Sequence, residues 1–182
     1  MLRIAEYDEV DPLQALHINL LCLDFALTPE LVRLIRRQDP RPFPCFAIYA
    51  VEGSTVAGQV GVFRLPVVST VGAAEVGGVW AVATHPAWRG RGVASLLLDE
   101  AHSRMAAAGL RFSTLGTDAS RVAHALYEKH GYRDLLNWLA GADLVGTGRA
   151  LSGGGPDGRC AAVDGVGVGR GRVAGLCAHL PG

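Results

Sequence analysis

One stretch of the chain combines residue types that could hold a polyanion: Val82-Ala83-Thr84-His85-Pro86-Ala87-Trp88-Arg89-Gly90-Arg91-Gly92-Val93-Ala94. A β-rich run ends at Thr84, two arginines alternate with two glycines, and a helix-like run begins at Val93. The first N–H groups of a helix have no partner within it and sit at the positive end of its dipole, so a phosphate placed there gains several hydrogen bonds at once. Gly90 and Gly92 let a ligand approach the backbone, and Arg89 and Arg91 add fixed positive charge in a geometry suited to phosphate oxygens. The segment reads as a cradle for a polyphosphate rather than for a neutral sugar.

Spacing sorts the nucleotide-type ligands that could lie there. A P-loop requires G-x-x-x-x-G-K-[ST], and this loop has no lysine. A dinucleotide fingerprint requires G-x-G-x-x-G with an acid after the next strand; here Ser95 stands at the third glycine and Asp118 at the strand end. Dinucleotide binding therefore stays as a weaker alternative, and coenzyme A is the third ligand to weigh.

The elements that must position this loop are punctuated clearly. Residues 2–6 suit a first strand. Asp11-Pro12 and Thr28-Pro29 each supply an N-cap and a first-turn proline, predicting helices to about residue 27 and to just before Asp39-Pro40. Residues 45–51 and 55–65 are β-rich runs joined by Glu52-Gly53-Ser54, which predicts a hairpin, and 75–84 forms another strand. Over 93–108, Ala94, Leu97, Ala101, Met105 and Ala108 recur at helical spacing before Gly109. Residues 110–116 make a short strand, and 120–130 a helix that buries Val122, Ala123, Leu126 and Tyr127 and ends at Gly131.

With that order in place, the motifs resemble those of the GNAT superfamily of N-acetyltransferases. Arg89 to Ala94 is similar to its R/Q-x-x-G-x-G/A signature, preceded by V-x-T-x-P-x-x-R as Val82, Thr84, Pro86 and Arg89. Further on, Ala123-His124-Ala125-Leu126-Tyr127-Glu128-Lys129-His130-Gly131-Tyr132 resembles its A-x-x-L-Y-E-K-x-G-F/Y segment. The resemblance covers roughly residues 1–136. It implies an α/β (α+β) fold with a mixed, mostly antiparallel central sheet, strands 4 and 5 splayed, and flanking helices. It also implies acetyl-CoA as co-substrate without a metal. Main-chain groups of the Val82-Ala83-Thr84 run would meet the pantetheine, Arg89, Gly90, Arg91, Gly92, Val93 and Ala94 would hold the pyrophosphate, and Tyr127 would be the general acid. Ser120 departs from the asparagine common at its place, and the final strand, expected after residue 140, is not recognisable.

The implied reaction makes definite demands. A neutral amine attacks the thioester carbonyl, the oxyanion needs a donor, for which a main-chain N–H near Val82 is suited, and the departing thiolate takes a proton from a phenol of pKa roughly 10. Glu75, His85 and Asp118, or water, are the candidates for removing the amine proton. Trp80, Phe43 and Phe46 could line the acceptor pocket. The acceptor itself, a small-molecule or peptide amine, is specified by no motif. A non-catalytic acyl-CoA-binding or regulatory module is the alternative function.

Composition bounds the rest. Lys plus Arg and Asp plus Glu are 17 each, so no net field favours nucleic acid or an anionic membrane. No apolar run is long enough for a membrane helix, and Glu6, Asp8, Glu9 and Asp11 interrupt any signal peptide, so a cytoplasmic protein is expected, with homodimerisation left open. Cys22, Cys45, Cys160 and Cys177 lack metal-site spacing and read as packing thiols. From residue 141 on there is no aromatic residue, and 13 of 42 positions are glycine. The domain is accordingly expected to span 1–140, with 141–182 a flexible or poorly packed tail. A frameshifted coding end would show the same bias.

Overall fold

The two Asp/Thr-Pro signals start helices where they stand. Asp11 accepts a hydrogen bond from the Leu13 N–H at 2.9 Å and opens α1, Pro12–Leu23. Thr28 accepts one from the Leu31 N–H at 3.2 Å and opens α2, Pro29–Gln38. Helix α1 stops before residue 27 because Asp24 turns left-handed at φ 53°, a conformation Asp tolerates better than most residues. The protein is seen here as a computed structural model that describes residues 1–39, 47–69, 72–117, 122–138 and 173–179. Phe43, Cys45, Phe46, Asp118, Ser120 and Cys160 lie outside the described residues.

The strands are β1 (Arg3–Ala5), β2 (Ala47–Glu52), β3 (Thr55–Ser69), β4 (Gly72–Thr84), β5 (Phe112–Thr117), β6 (Arg133–Trp138) and β7 (Val173–His179). They form one seven-stranded sheet in the order β1-β2-β3-β4-β5-β7-β6, antiparallel except for the β4–β5 pair. This is the mixed, mostly antiparallel α/β sheet with flanking helices that the family resemblance implies. Strands β3 and β4 run further than expected, their ladder continuing to the pair Ser69 and Gly72. The missing last strand is β7, drawn from the glycine-rich tail and seated between β5 and β6. Its Ala-Gly-Leu-Cys-Ala centre carries no apolar alternation that sequence patterning could detect.

Helices α3 (Val93–Ala107) and α4 (Val122–Lys129) complete the fold. Alternation in β2 divides the core: Ala47, Tyr49 and Val51 pack with Ala15, Ile18 and Val32 of α1 and α2, while Ile48 and Ala50 pack with Leu97, Leu98, Ala101 and Met105 of α3. The α3 layer closes on a polar triad. The Ser113 hydroxyl donates to the Tyr132 hydroxyl at 2.7 Å, and Tyr132 lies 2.9 Å from His102 Nε2, tying α3, β5 and the start of β6 together.

Burial, then the neighbouring His130, holds His102 below the ordinary imidazole range, against a smaller opposing pull from Asp99. Because the unfolded chain takes up this proton first as pH falls, the stability it confers is present above about pH 6.5 and is lost as pH drops through the folded pKa. Melting temperature is expected to fall on acidification from pH 8 to 5, with a flatter profile in His102→Gln; equal slopes in the two proteins would show that His102 is not the titrating group.

Candidate active site

Strands β4 and β5 are paired only at Gly77 with Ser113 and Gly78 with Thr114. Beyond that point β4 continues to Thr84 and β5 to Thr117, with β5 turning its other edge to β7, so the two parallel strands part and leave a cleft. Gly77 is needed where they join, because a Cβ there would collide with Met105 of α3. Along the parted segment the β3–β4 register shifts between Gln59 and Gly61, so Val60 faces both Ala81 and Val82. Ala81 occupies the left-handed region at φ 50°, which costs a non-glycine residue about 1–2 kcal/mol.

At the mouth of the cleft, Gly90 and Gly92 have φ of 74° and 78°, and no atom lies within 4 Å of a Cβ built at either. Their first contribution is thus the loop's curvature, with open space above the backbone. Gly92 caps α3 without a side-chain bond, and the N–H groups of Val93, Ala94 and Ser95 meet no acceptor among the described residues. Arg89 is exposed and makes no ion pair with a described residue. Arg91 is engaged by Glu52, at 3.4 Å, a residue the sequence does not single out. Glu52 also accepts from the Trp88 indole at 3.0 Å. That bond first, and Arg91 after it, hold its carboxyl below the usual range.

Tyr127 on α4 is 6% exposed and shares one packed cluster with Val79 of β4 and Leu115 of β5, against which Val82 also packs. Its ring meets Tyr132 edge-on at 5.9 Å, and burial raises its phenol above the ordinary value. The Tyr127 ring thus lies in the core layer on the α3 side of the sheet, a layer that also takes in residues of both parted strands. Ala83 points into the α1 layer, and the Thr84 carbonyl accepts from the free thiol of Cys22 at 3.6 Å.

Of the candidate bases, the two among the described residues are each engaged by another group. Glu75 pairs with Arg64 at 2.9 Å, on the side of Gly77 where β4 and β5 have yet to part. His85 Nδ1 accepts the Ala87 N–H at 3.2 Å, closing the turn before the loop, and Asp118 is outside the described residues. Trp80 stacks on Phe63 at 4.8 Å and covers Gly61. Beneath the bulge lies a buried pair that sequence reasoning missed, Asn19 of α1 and Gln59 of β3. Two amides 40 positions apart in sequence leave no local signal. Among the described residues no group of three His, Cys, Asp or Glu could hold a metal ion.

The fold that carries this cleft is similar to those of several known proteins. The chain resembles the ribosomal-protein-S18-alanine N-acetyltransferase of Escherichia coli, with a TM-score of 0.62 and 16% identity over 99% of this chain and 94% of that one. It resembles a structure of the NatC complex bound to Gag peptide and CoA, with a TM-score of 0.65 and 15% identity over 99% of each chain. A protein of Bacillus halodurans described as a transcriptional regulator is similar at 0.58 and 26% identity, over 73% of this chain and 92% of that one. No curated protein matches significantly by sequence. These likenesses speak to the fold, and the acetyltransferase (GNAT) family itself matches residues 13–132, from inside α1 through both motif segments to Tyr132. On a match that spans most of the chain and encloses the whole cleft, this protein belongs to the GNAT acetyltransferase family and is an acyltransferase.

Proposed function

We propose that the protein moves an acetyl group from acetyl-CoA directly to a primary amine, of a small molecule or a peptide, within a ternary complex. The observation that carries this reading is the parting of β4 and β5 together with the unpaired N–H groups that open α3, and Tyr127, buried in the same core layer as Val79 and Leu115, is the phenol proposed to reach the cleft. The residues present fit the co-substrate: Arg89 and the N–H groups of Gly92, Val93 and Ala94 suit the pyrophosphate, and the edge of β4 through Val82 and Thr84 suits the pantetheine amides. Arg91 would serve the pyrophosphate only by exchanging Glu52 for a phosphate, a swap between two anions that the exposed pair allows.

In this reaction the amine nitrogen bonds to the thioester carbon, the C–S bond breaks, and the sulfur leaves with the electron pair. Tyr127 gives its proton to that sulfur and recovers one from solvent. The amine proton leaves to water or a nearby base. Trp80 and Phe63 are proposed as a wall of the acceptor site on the α1 side of the sheet.

Titration calorimetry with acetyl-CoA and with NAD tests the cofactor. Saturable binding of acetyl-CoA is expected, and binding of NAD instead would overturn the reading. Gly92→Val should abolish acetyl-CoA binding while the domain still unfolds cooperatively, because a β-branched side chain resists φ 78° and stands in the ligand's path. Retained affinity in that variant would move the pyrophosphate elsewhere. The second reading is a regulatory module that binds acyl-CoA without turnover, and the likeness to a protein described as a transcriptional regulator bears only on its regulatory part. Thiol release from acetyl-CoA with a panel of amines, peptide N-termini and aminoglycosides separates the two, since the module binds and releases none.

A further inference from the structure

We infer that Asn19 and Gln59 are positioning residues for the acyl-transfer step: together they hold the Ala81–Val82 peptide so that the Val82 N–H faces the thioester carbonyl in the β4–β5 cleft. The inference rests on the acetyl-CoA reading above and extends it to residues that touch no substrate.

The two side chains form a closed amide pair in the α1 layer. Asn19 Nδ2 donates to Gln59 Oε1 at 2.9 Å, and Gln59 Nε2 donates back to Asn19 Oδ1 at 3.0 Å. Each also reaches one backbone carbonyl: Asn19 that of Ala15 on its own helix at 2.8 Å, and Gln59 that of Ala81 at 3.2 Å. Both residues are 1% exposed. A buried polar pair of this kind costs desolvation, and an apolar pair would pack as well, so packing alone does not account for it.

What the pair reaches is the strained residue of the cleft. Ala81 is at φ 50° and lies where two β4 residues face one of β3. A sheet neighbour cannot hold such a peptide through a regular ladder, and Gln59 supplies a donor to its carbonyl instead. In a planar trans peptide the carbonyl and the following N–H point in opposite directions. With the Ala81 oxygen drawn toward β3 and α1, the Val82 N–H points away from them, to the side where β5 has left β4. That is where negative charge develops on the thioester oxygen as the amine adds, and a donor fixed in advance is worth most there. Asn19 acts one step further back. By holding both ends of the Gln59 amide, it sets which atom faces Ala81, so that an N–H and not a carbonyl oxygen is presented.

Infrared spectra of acetyl-CoA labelled with ¹³C at the acetyl carbonyl, bound to the full chain without an amine, test this directly. Bound to the unaltered protein, the carbonyl stretch should lie below its frequency in water. In Gln59→Met it should return toward the solution value, with acetyl-CoA affinity from calorimetry little changed, because the pyrophosphate contacts remain. Should Gln59→Met leave Asn19 unpaired and fail to fold, the double variant Asn19→Leu/Gln59→Met removes both amides together and is read in the same way. A stretch identical to that of the unaltered protein in whichever variant folds would overturn the inference, as would loss of acetyl-CoA binding, which would show that the pair shapes the cofactor channel and not the carbonyl. Failure of the unaltered protein to bind acetyl-CoA is a different result, and it would refute the proposed function itself.

Discussion

Removing one oxygen atom, in Tyr127→Phe, is expected to lower turnover by roughly 10²-fold while leaving acetyl-CoA affinity and the melting temperature almost unchanged. The ring packs against Tyr132 within the core layer on the α3 side of the sheet, and phenylalanine keeps that packing. Among the described residues the hydroxyl has no hydrogen-bond partner, so its deletion strands no other polar group. The interaction lost belongs to the transition state, where sulfur acquires charge. In water a phenol near 10 is a weaker acid than a thiol near 8.5, so the transfer runs uphill. Burial raises the Tyr127 phenol, and a thiolate leaving into the same apolar surroundings would gain basicity for the same reason. Because the phenol is held above its ordinary value, the acid form persists through the alkaline range. The rate should rise with pH as the amine loses its proton, and the fall caused by ionising Tyr127 should begin only above about pH 10. Tyr127→Phe should remove that fall. An unaltered rate in the variant would make Tyr127 a packing residue and nothing more.

The parts of this protein that announce themselves in sequence are those built from local chemistry. Asp11-Pro12 and Thr28-Pro29 mark helix starts because caps and prolines act within one turn, and the Arg/Gly alternation at 89–92 marks a tight loop before α3 because left-handed backbone requires glycine. The chain order of strands and helices follows from such punctuation. What is illegible is set by distant partners. Glu52 is unremarkable until the β2–β3 hairpin places it beside Trp88 and Arg91. The strain at Ala81 is invisible because alanine gives no warning of a positive φ, and it exists only through the register against β3. Asn19 sits on a helix whose other residues are mostly apolar, where a polar side chain would ordinarily face solvent. For Glu75 and His85, residue type suggests a base, and geometry shows each already engaged, one by Arg64 and the other by the Ala87 N–H.

Ending the chain before Gly146 offers the second large effect, and the two descriptions of the tail predict opposite results. If residues 141–182 are a poorly packed appendage, their removal should leave acetyl-CoA binding intact. The sheet argues otherwise, and we propose that the tail is part of the domain. Strand β7 pairs with all of β5 from Phe112 to Thr117 on one side and with β6 from Arg133 to Trp138 on the other. Without it β5 keeps two paired residues with β4, and β6 keeps no sheet partner among the described residues. Each ladder bond is worth about 0.5–1.5 kcal/mol net, so losing both faces of a seven-residue strand compares with the whole ~5–15 kcal/mol by which a domain is stable. Detachment of β6 would also loosen Tyr132, which holds Ser113 and His102 behind Tyr127. The truncated chain should therefore lose its cooperative melting transition and its acetyl-CoA binding together. A weaker single change, Gly175→Pro, removes one donor from the middle of β7 and should lower the melting temperature without abolishing folding. Cooperative unfolding and undiminished acetyl-CoA affinity in the truncated chain would place the domain boundary near residue 140 after all and would leave β4 and β5 as sufficient walls for the cofactor.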